Sequence, residues 1–327
     1  MRGSRNLILF TAFLATHLHG QIAVKDEKTF EIAPQVALTN LKSGYDDSLY
    51  FRAAAGTTIV HVGTNGKIVG QFAFNVIPGL SDAQLVDYAP DSTGGIYEAL
   101  VVSSKPRGLG KHYLLHFSPN GQLASKDLNE YGFYIRSLAM LGNDSLLMAG
   151  ADRKTSKLVA AILTTDGRFL KYVELPDDLN SETLQKTFRC DYCGDNQLAA
   201  HDALQSELSN VSAASFDGGA FLYRHQADGP VYVVREGGAV QTVKLVPPAG
   251  GKLESVRVTS DSVAAGYRIE QRGNAVRRRI VVVDRNGKIS AEITPTDSDY
   301  LISYRREQLI FLRLSSGLQL VFAQPEY

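Results

Sequence analysis

The 327-residue chain predicts an all-β fold built from six repeats of one four-stranded antiparallel unit. Three observations predict it. A turn dipeptide recurs between alternating apolar runs, at Asn65-Gly66, Asn120-Gly121, Asp166-Gly167, Gly237-Gly238 and Asn286-Gly287. Such dipeptides between strands are the strongest short-range hairpin signal, and two-residue type I′ turns are the expected geometry. A polar or glycine pair also precedes an apolar strand start in "DDSLYF", "TGGIYEAL", "NDSLLMAG", "DGGAFLYR", "SDSVAAGY" and "REQLIFLRL". Anchored on Leu49, Ile96, Leu146, Phe221, Val263 and Leu309, these starts lie 47, 50, 75, 42 and 46 residues apart. Finally, each unit carries an earlier short strand, as in "AQLVDYA" from Ala83 and "SVRVTS" from Ser255.

Units of about 40 to 50 residues with four antiparallel strands are the blades of a β-propeller, and five spacings imply six blades. The strands are lettered a to d from the axis outward. The long spacing carries an insertion of about 30 residues beyond the usual blade, placed at about 176–209 between blades three and four. A β-sandwich uses similar hairpins but has no reason for a near-even unit period. The last unit offers "YLISY", "QLIFLRL" and "LQLVFAQ" and lacks a fourth strand. "KTFEIAP", residues 28–34, is a spare strand expected to close the ring as strand d of blade six, removing an open sheet edge.

Residues 1–20 have the pattern of a secretory signal peptide: Arg2 and Arg5, the apolar run "NLILFTAFLAT", and Gly20 before a cut. The run is shorter than the roughly 20 apolar residues that span a bilayer, and no later run is longer. A single propeller domain from Gln21 to Tyr327, secreted or periplasmic, is expected. Lys plus Arg and Asp plus Glu each number 34, so bulk charge gives no reason to expect nucleic acid as a partner. The absence of Trp argues against a sugar site built on Trp platforms, although 15 Tyr and 14 Phe remain available for stacking.

"GGIYEALVV" followed by "HYLLHFSPNGQLASKDL" resembles the six-bladed propellers of the NHL and TolB-like class. There "G-x-[LI]-Y" opens one strand and "x-x-N-G-x-[LIV]" turns the outer hairpin. The likeness spans about residues 28–325 and rests on fold motifs. Since the class contains lyases, hydrolases, sugar dehydrogenases and binding scaffolds, the resemblance implies a ring with a central funnel and leaves the reaction open.

Function on such a ring is expected where the longer loops gather, on the face of the b–c loops and d–a connections. Those segments carry Lys105, Arg107 and Lys111; Arg153, Lys154 and Lys157; Arg224 and His225; and Arg268, Arg272, Arg277, Arg278 and Arg279. Set against Asp152, Asp228 and Glu270, they amount to a net +9. The 176–209 insertion is net −5. A basic rim with an acidic cover is one reading, and ordinary solvated loop charge is the other.

Cys190 and Cys193 in "FRCDYCGD" suit a local disulfide in an exported chain. A redox dithiol would want a βαβ context, and a metal site would need about two more ligands, with His201, Asp191 or Asp195 in reach by sequence. His61, His112 and His116 fall on c strands and read as satisfied structural histidines, whereas His201 and His225 fall on the loop face. Asn143 and Asn210 begin glycosylation sequons. No nucleophile-elbow, zincin, Walker or EF-hand motif occurs.

The expected function is therefore an exported binding scaffold, using its basic loop face to engage a protein or an anionic glycan without a cofactor. The alternative is a propeller lyase or hydrolase acting on a sugar or lactone in the funnel. A quinone-cofactor dehydrogenase fits least, lacking Trp and a dense His/Arg pattern. Convergent free titratable groups on the inner rim would favour an enzyme, and a plugged channel a scaffold.

Overall fold

Near-continuous apolar runs, such as Leu146–Ala149, give the middle strands two buried faces, and a ring satisfies both by packing every sheet between two others. In a computed structural model, residues 19–29, 39–53, 56–102, 111–152, 158–175, 210–271, 275–305, 308–314 and 318–326 are described. They form six blades of four antiparallel strands, a β-propeller, as the repeat predicts. Blades one to five span 39–73, 83–127, 133–173, 211–244 and 251–293. Blade six combines Asp299–Arg305, Gln308–Leu314 and Leu318–Glu326 with an N-terminal strand. Helix among the described residues amounts to two 3-10 turns, Phe74–Val76 and Asn129–Tyr131.

The buried side chains fall into six clusters, one at each blade–blade interface. Between blades one and two, for example, Tyr50, Ile59 and Phe72 meet Tyr88, Ile96 and Leu115. Burying each such side chain favours folding by about 1.5–3 kcal/mol, so the stability is distributed around the ring. Tyr88 adds a polar link, its hydroxyl donating to the carbonyl of Tyr50 at 2.7 Å.

The outer hairpins are where the expected ones, but their turns differ from the expected type I′. In residues 280–293, the Asp284 amide donates to the Lys288 carbonyl at 2.8 Å and the Gly287 amide to the Asp284 carbonyl at 3.0 Å. Only the glycine is left-handed, with φ 81°. This is a three-residue loop, a type I turn closed by a left-handed glycine. The same bonds recur around Gly66, Gly121, Gly167 and Gly238. The residue opening the loop explains the preference. Asp284 Oδ1 accepts the amides of Asn286 and Lys288, and the hydroxyls of Ser118 and Thr164 accept those of Gln122 and Arg168. These bonds hold the intervening Asn or Asp right-handed and leave the positive φ to glycine.

An N-terminal strand does close the ring, although it is His19–Thr29 and not 28–34. It runs antiparallel to Leu318–Glu326, with pairs from Gln21↔Glu326 to Thr29↔Gln319. The run "QIAVKDEKT" is long enough for all eight pairs, whereas "KTFEIAP" ends in a proline that donates no ladder bond. His19 and Gly20 add a short parallel contact to Glu292 and Ile293 of blade five. A chain beginning at Gln21 is therefore expected to melt within about 2 °C of one beginning at His19. One beginning at residue 30 leaves the last blade with three strands and should melt at least about 10 °C lower. Circular-dichroism melts of the three chains check this.

The inner strands set up the site. In five of six blades the a–b ladder slips at a similar place: between Thr39 and Lys42, Leu85 and Asp87, Ile135 and Ser137, Leu253 and Ser255, and Leu301 and Ser303. Blade four pairs without a slip. A bulge bends the strand and re-aims the extra residue. Here Val86, Arg136, Glu254 and Ile302 are set out of the ladder, and all four line the axial cavity.

Candidate functional site: an axial cavity with a cationic wall

The cavity on the propeller axis has a volume of about 540 Å³ and is lined by inner-strand residues from every blade. A polar network ties four blades together across it. The Lys42 ammonium donates to Asp87 Oδ2 at 2.8 Å and to the Leu138 carbonyl at 2.9 Å, with the Ala213 carbonyl at 3.5 Å. The same carboxylate oxygen accepts the Ser137 hydroxyl at 2.7 Å and the Leu138 amide at 2.8 Å. Ser137 Oγ in turn accepts the Ala213 amide at 2.7 Å. Side chains of Lys42 and Asp87 are only 14% and 9% exposed, so this is a buried ion pair. Burial drives the Lys42 ammonium below the usual lysine range, outweighing Asp87, with Arg257 and Arg136 pushing the same way.

Arg257 faces the cavity from blade five. Its guanidinium donates to the backbone carbonyls of Ile302 and, at 2.7 Å, Val256, and it engages the Tyr223 side chain. No carboxylate pairs with it among the described residues. Burial lowers its pKa, Tyr223 opposing, while burial raises the Tyr223 phenol. His225 shares a 2.8 Å hydrogen bond with the Ser212 hydroxyl. Burial, then Arg136, lowers its pKa. Every one of these shifts on a base reports surroundings that resist added positive charge.

The carboxylates of this cavity are engaged. Asp87 is held as described. Glu254 takes Arg278 Nε at 2.8 Å, and Arg278 also donates to the Asp297 carbonyl and lies 3.8 Å from the Tyr300 ring centre. Asp299 receives Arg313 in a two-bond fork at 2.7 and 3.1 Å.

The expected rim residues have different fates. Arg268, Arg277, Arg278 and Arg279 lie on strands b and c of blade five and not in a loop, because those strands run on to Glu270 and back from Val276. Strand alternation then separates them. Arg278 is buried, Arg277 is exposed, and Arg279 approaches Glu292 at 3.3 Å. Arg268 lies 3.8 Å from Glu270, which also meets Lys252 at 3.1 Å. Arg224 ends strand b of blade four, next to His225. Lys105, Arg107, Arg153, Arg272, His201, Cys190, Cys193 and the whole 176–209 insertion lie outside the described residues. No group of three or more metal-ligating side chains converges among the described residues, and no helix there is long and apolar enough to cross a membrane.

Sequence reasoning missed Lys42, Asp87, Arg136, Ser137 and Arg257. A readable signal existed: each is a polar residue inside an inner strand, where an apolar one is the default.

Compared by sequence, the chain matches no protein-family description and no curated protein. Solved structures similar to it are propellers of low identity. A member of the DUF4221 family from Bacteroides vulgatus shares 9% identity over 94% of this chain and 98% of that one, with TM-score 0.49. A streptogramin B lyase shares 10% over 92% and 98%, with TM-score 0.44. The propeller domain of the Trilobed protease from Pyrococcus furiosus shares 10% over 90% and 84%, with TM-score 0.43. Likeness at this level assigns no activity and no ligand.

Proposed function

We propose that the protein is a binding scaffold whose axial cavity takes a small anionic group, a carboxylate, sulfate or phosphate such as an acidic glycan carries. The observation that carries this reading is Arg257, a partly buried guanidinium that faces the cavity and has no carboxylate partner among the described residues. A planar guanidinium offers a two-bond fork that suits such anions. The volume suits a ligand of one or two sugar rings, within the usual range of small-molecule sites of about 300–1,000 Å³. The basic attraction sits on the inner strands in this reading, since Arg278 and Arg279, which reach the cavity from strand c, already have acidic partners. Binding is favoured over lyase or hydrolase chemistry because each cavity carboxylate already holds a cation. A mechanism built on paired carboxylates would need one of them free.

Isothermal titration with sulfate, glucuronate and a short acidic oligosaccharide tests this. Binding of at least one, lost about tenfold or more in R257M, is expected; the unliganded variant's melt separates binding from folding. Equal affinity in R257M, or no binding by any of the three, would sink it. We also propose export, with cleavage after Gly20. Its support is that all eight closing pairs begin at Gln21, so the cut spares them. N-terminal sequencing of protein recovered from medium or periplasm checks this.

A further inference from the structure

Blades one and two carry the same stacked His–Tyr pair beside a turn carboxylate on the face of the tight turns, opposite the b–c loops. In blade two, His116 stacks on Tyr97 with ring centres 4.1 Å apart and 8° between planes, and its Nε2 meets Asp91 Oδ2 at 2.9 Å. In blade one, His61 stacks on Tyr50 at 4.1 Å and 12°; Gly44 stands in register with Asp91, and the carboxylate comes instead from Asp46, two residues further along the a–b turn. Asp46 Oδ1 accepts the Ser48 amide at 3.1 Å, much as Asp91 Oδ1 accepts those of Thr93 and Gly95 at 2.8 Å. One bond breaks the repetition. His61 Nε2 has no hydrogen-bond partner among the described residues, although the residue is only 8% exposed.

That ring edge faces a cavity. His61 Cε1, next to Nε2, points toward Gly94 of the neighbouring blade, 3.8 Å from where a Cβ would stand. Asp46, Asp91, Tyr45 and Phe72 help line the same cleft of about 430 Å³. A buried nitrogen without a partner is destabilising, and a ligand that satisfies it recovers that cost. Burial keeps the imidazole below its usual pKa, Asp46 opposing, which leaves it neutral and able to accept at pH 7. Nearby Arg305 belongs to Asp47, at 3.3 Å, and to the Tyr45 carbonyl.

We propose that this cleft binds a guanidinium group, with Asp46 and Asp91 supplying negative charge and His61 Nε2 accepting one N–H. Two carboxylates exclude an anion. The acceptors do not converge as a metal-ligand cluster, which suits a broad planar cation with five N–H donors better than a point ion. Tyr45 already carries the Arg305 guanidinium 5.8 Å from its ring centre, a cation on an aromatic face at the edge of the same cleft. The site is separate from the axial cavity and takes the opposite charge.

The guanidinium can come from a free small molecule or from an arginine side chain in a polypeptide. The probes are agmatine, acetyl-Ala-Arg-Ala-amide, and the same peptide with uncharged citrulline for arginine. Binding is read from the His61 imidazole NMR signals and from calorimetry on the whole protein. Saturable movement of the His61 signals by an arginine-bearing probe is expected, with at least tenfold weaker binding of the citrulline peptide. D46N, on an exposed residue, should weaken binding about tenfold. H61F, which keeps the stack on Tyr50, should do the same. Tighter binding of the arginine peptide than of agmatine marks a polypeptide source, and equal binding marks a small molecule; both support the site. No saturation up to about 10 mM, equal binding of the citrulline peptide, or unchanged affinity in D46N overturns it. If H61F does not fold, D46N decides alone.

Discussion

Replacing Glu98 by methionine is expected to stabilise the protein by about 2–3 kcal/mol at pH 7. Glu98 lies on strand b of blade two, fully buried, with neither carboxylate oxygen hydrogen-bonded. It follows Ile96 and precedes Leu100 on the face packed against blade one. Burial raises its pKa from 4.5 to about 8. The sign follows from which state holds the proton. Unfolded, Glu98 ionises near 4.5; folded, it stays protonated up to about 8. Between these values the folded state carries the extra proton, so stability falls as pH rises through that window and levels off above it. Methionine has similar volume and no proton to lose. The gain in E98M should thus be under about 1 kcal/mol at pH 5 and largest at pH 8 and above. Urea melts at pH 5, 7 and 8.5 read it directly. An equal gain at all three would mean that the side chain is solvated or paired in solution.

The second large effect belongs to the ion pair on the axis. K42M alone is expected to cost about 3–5 kcal/mol, because it strands the Asp87 carboxylate in a buried site. Ser137 and the Leu138 amide still bond that oxygen, but neither balances its charge. The double variant K42M/D87N should recover at least about 1.5 kcal/mol, since the amide needs no counter-ion and keeps an acceptor oxygen for the same two donors. The coupling distinguishes a charge effect from lost packing of the lysine stem. Additive costs in the urea-melt cycle would show that packing dominates and that the pair contributes little.

Both positions show why a propeller axis differs from its blades. Lys42 and Glu98 are ionisable residues with largely buried side chains, and both are shifted by desolvation. Lys42 finds Asp87 on the adjacent blade; Glu98 finds nothing. The contrast comes from neighbours supplied by another blade, 45 residues along the chain in the case of Asp87.

Much of the ring was legible in the residues. Six strand starts, near-evenly spaced but for one insertion, and five glycine turns point to six hairpin-bearing units, because period-2 alternation and left-handed glycines are local properties. The missing fourth strand of the last unit called for an N-terminal partner. Which segment filled it was a matter of register with Leu318–Glu326, and this moved the closing strand upstream to His19–Thr29. The turn type also escaped, since it depends on the capping bonds of Asp284, Ser118 and Thr164 and not on the dipeptide alone. The arginines at 277–279 read as one basic cluster, but alternation along a strand puts Arg278 inside against Glu254 and Arg277 outside.

The sequence by itself therefore determined the repeat, the strand order and the hairpin positions, all of which follow from neighbours within about ten residues. Only the tertiary structure decided which polar groups meet. Lys42 with Asp87, Arg257 without a carboxylate, and His61 Nε2 facing blade two depend on contacts between blades. Closing a ring fixes those contacts through the geometry of all six sheets at once, and no local pattern encodes it.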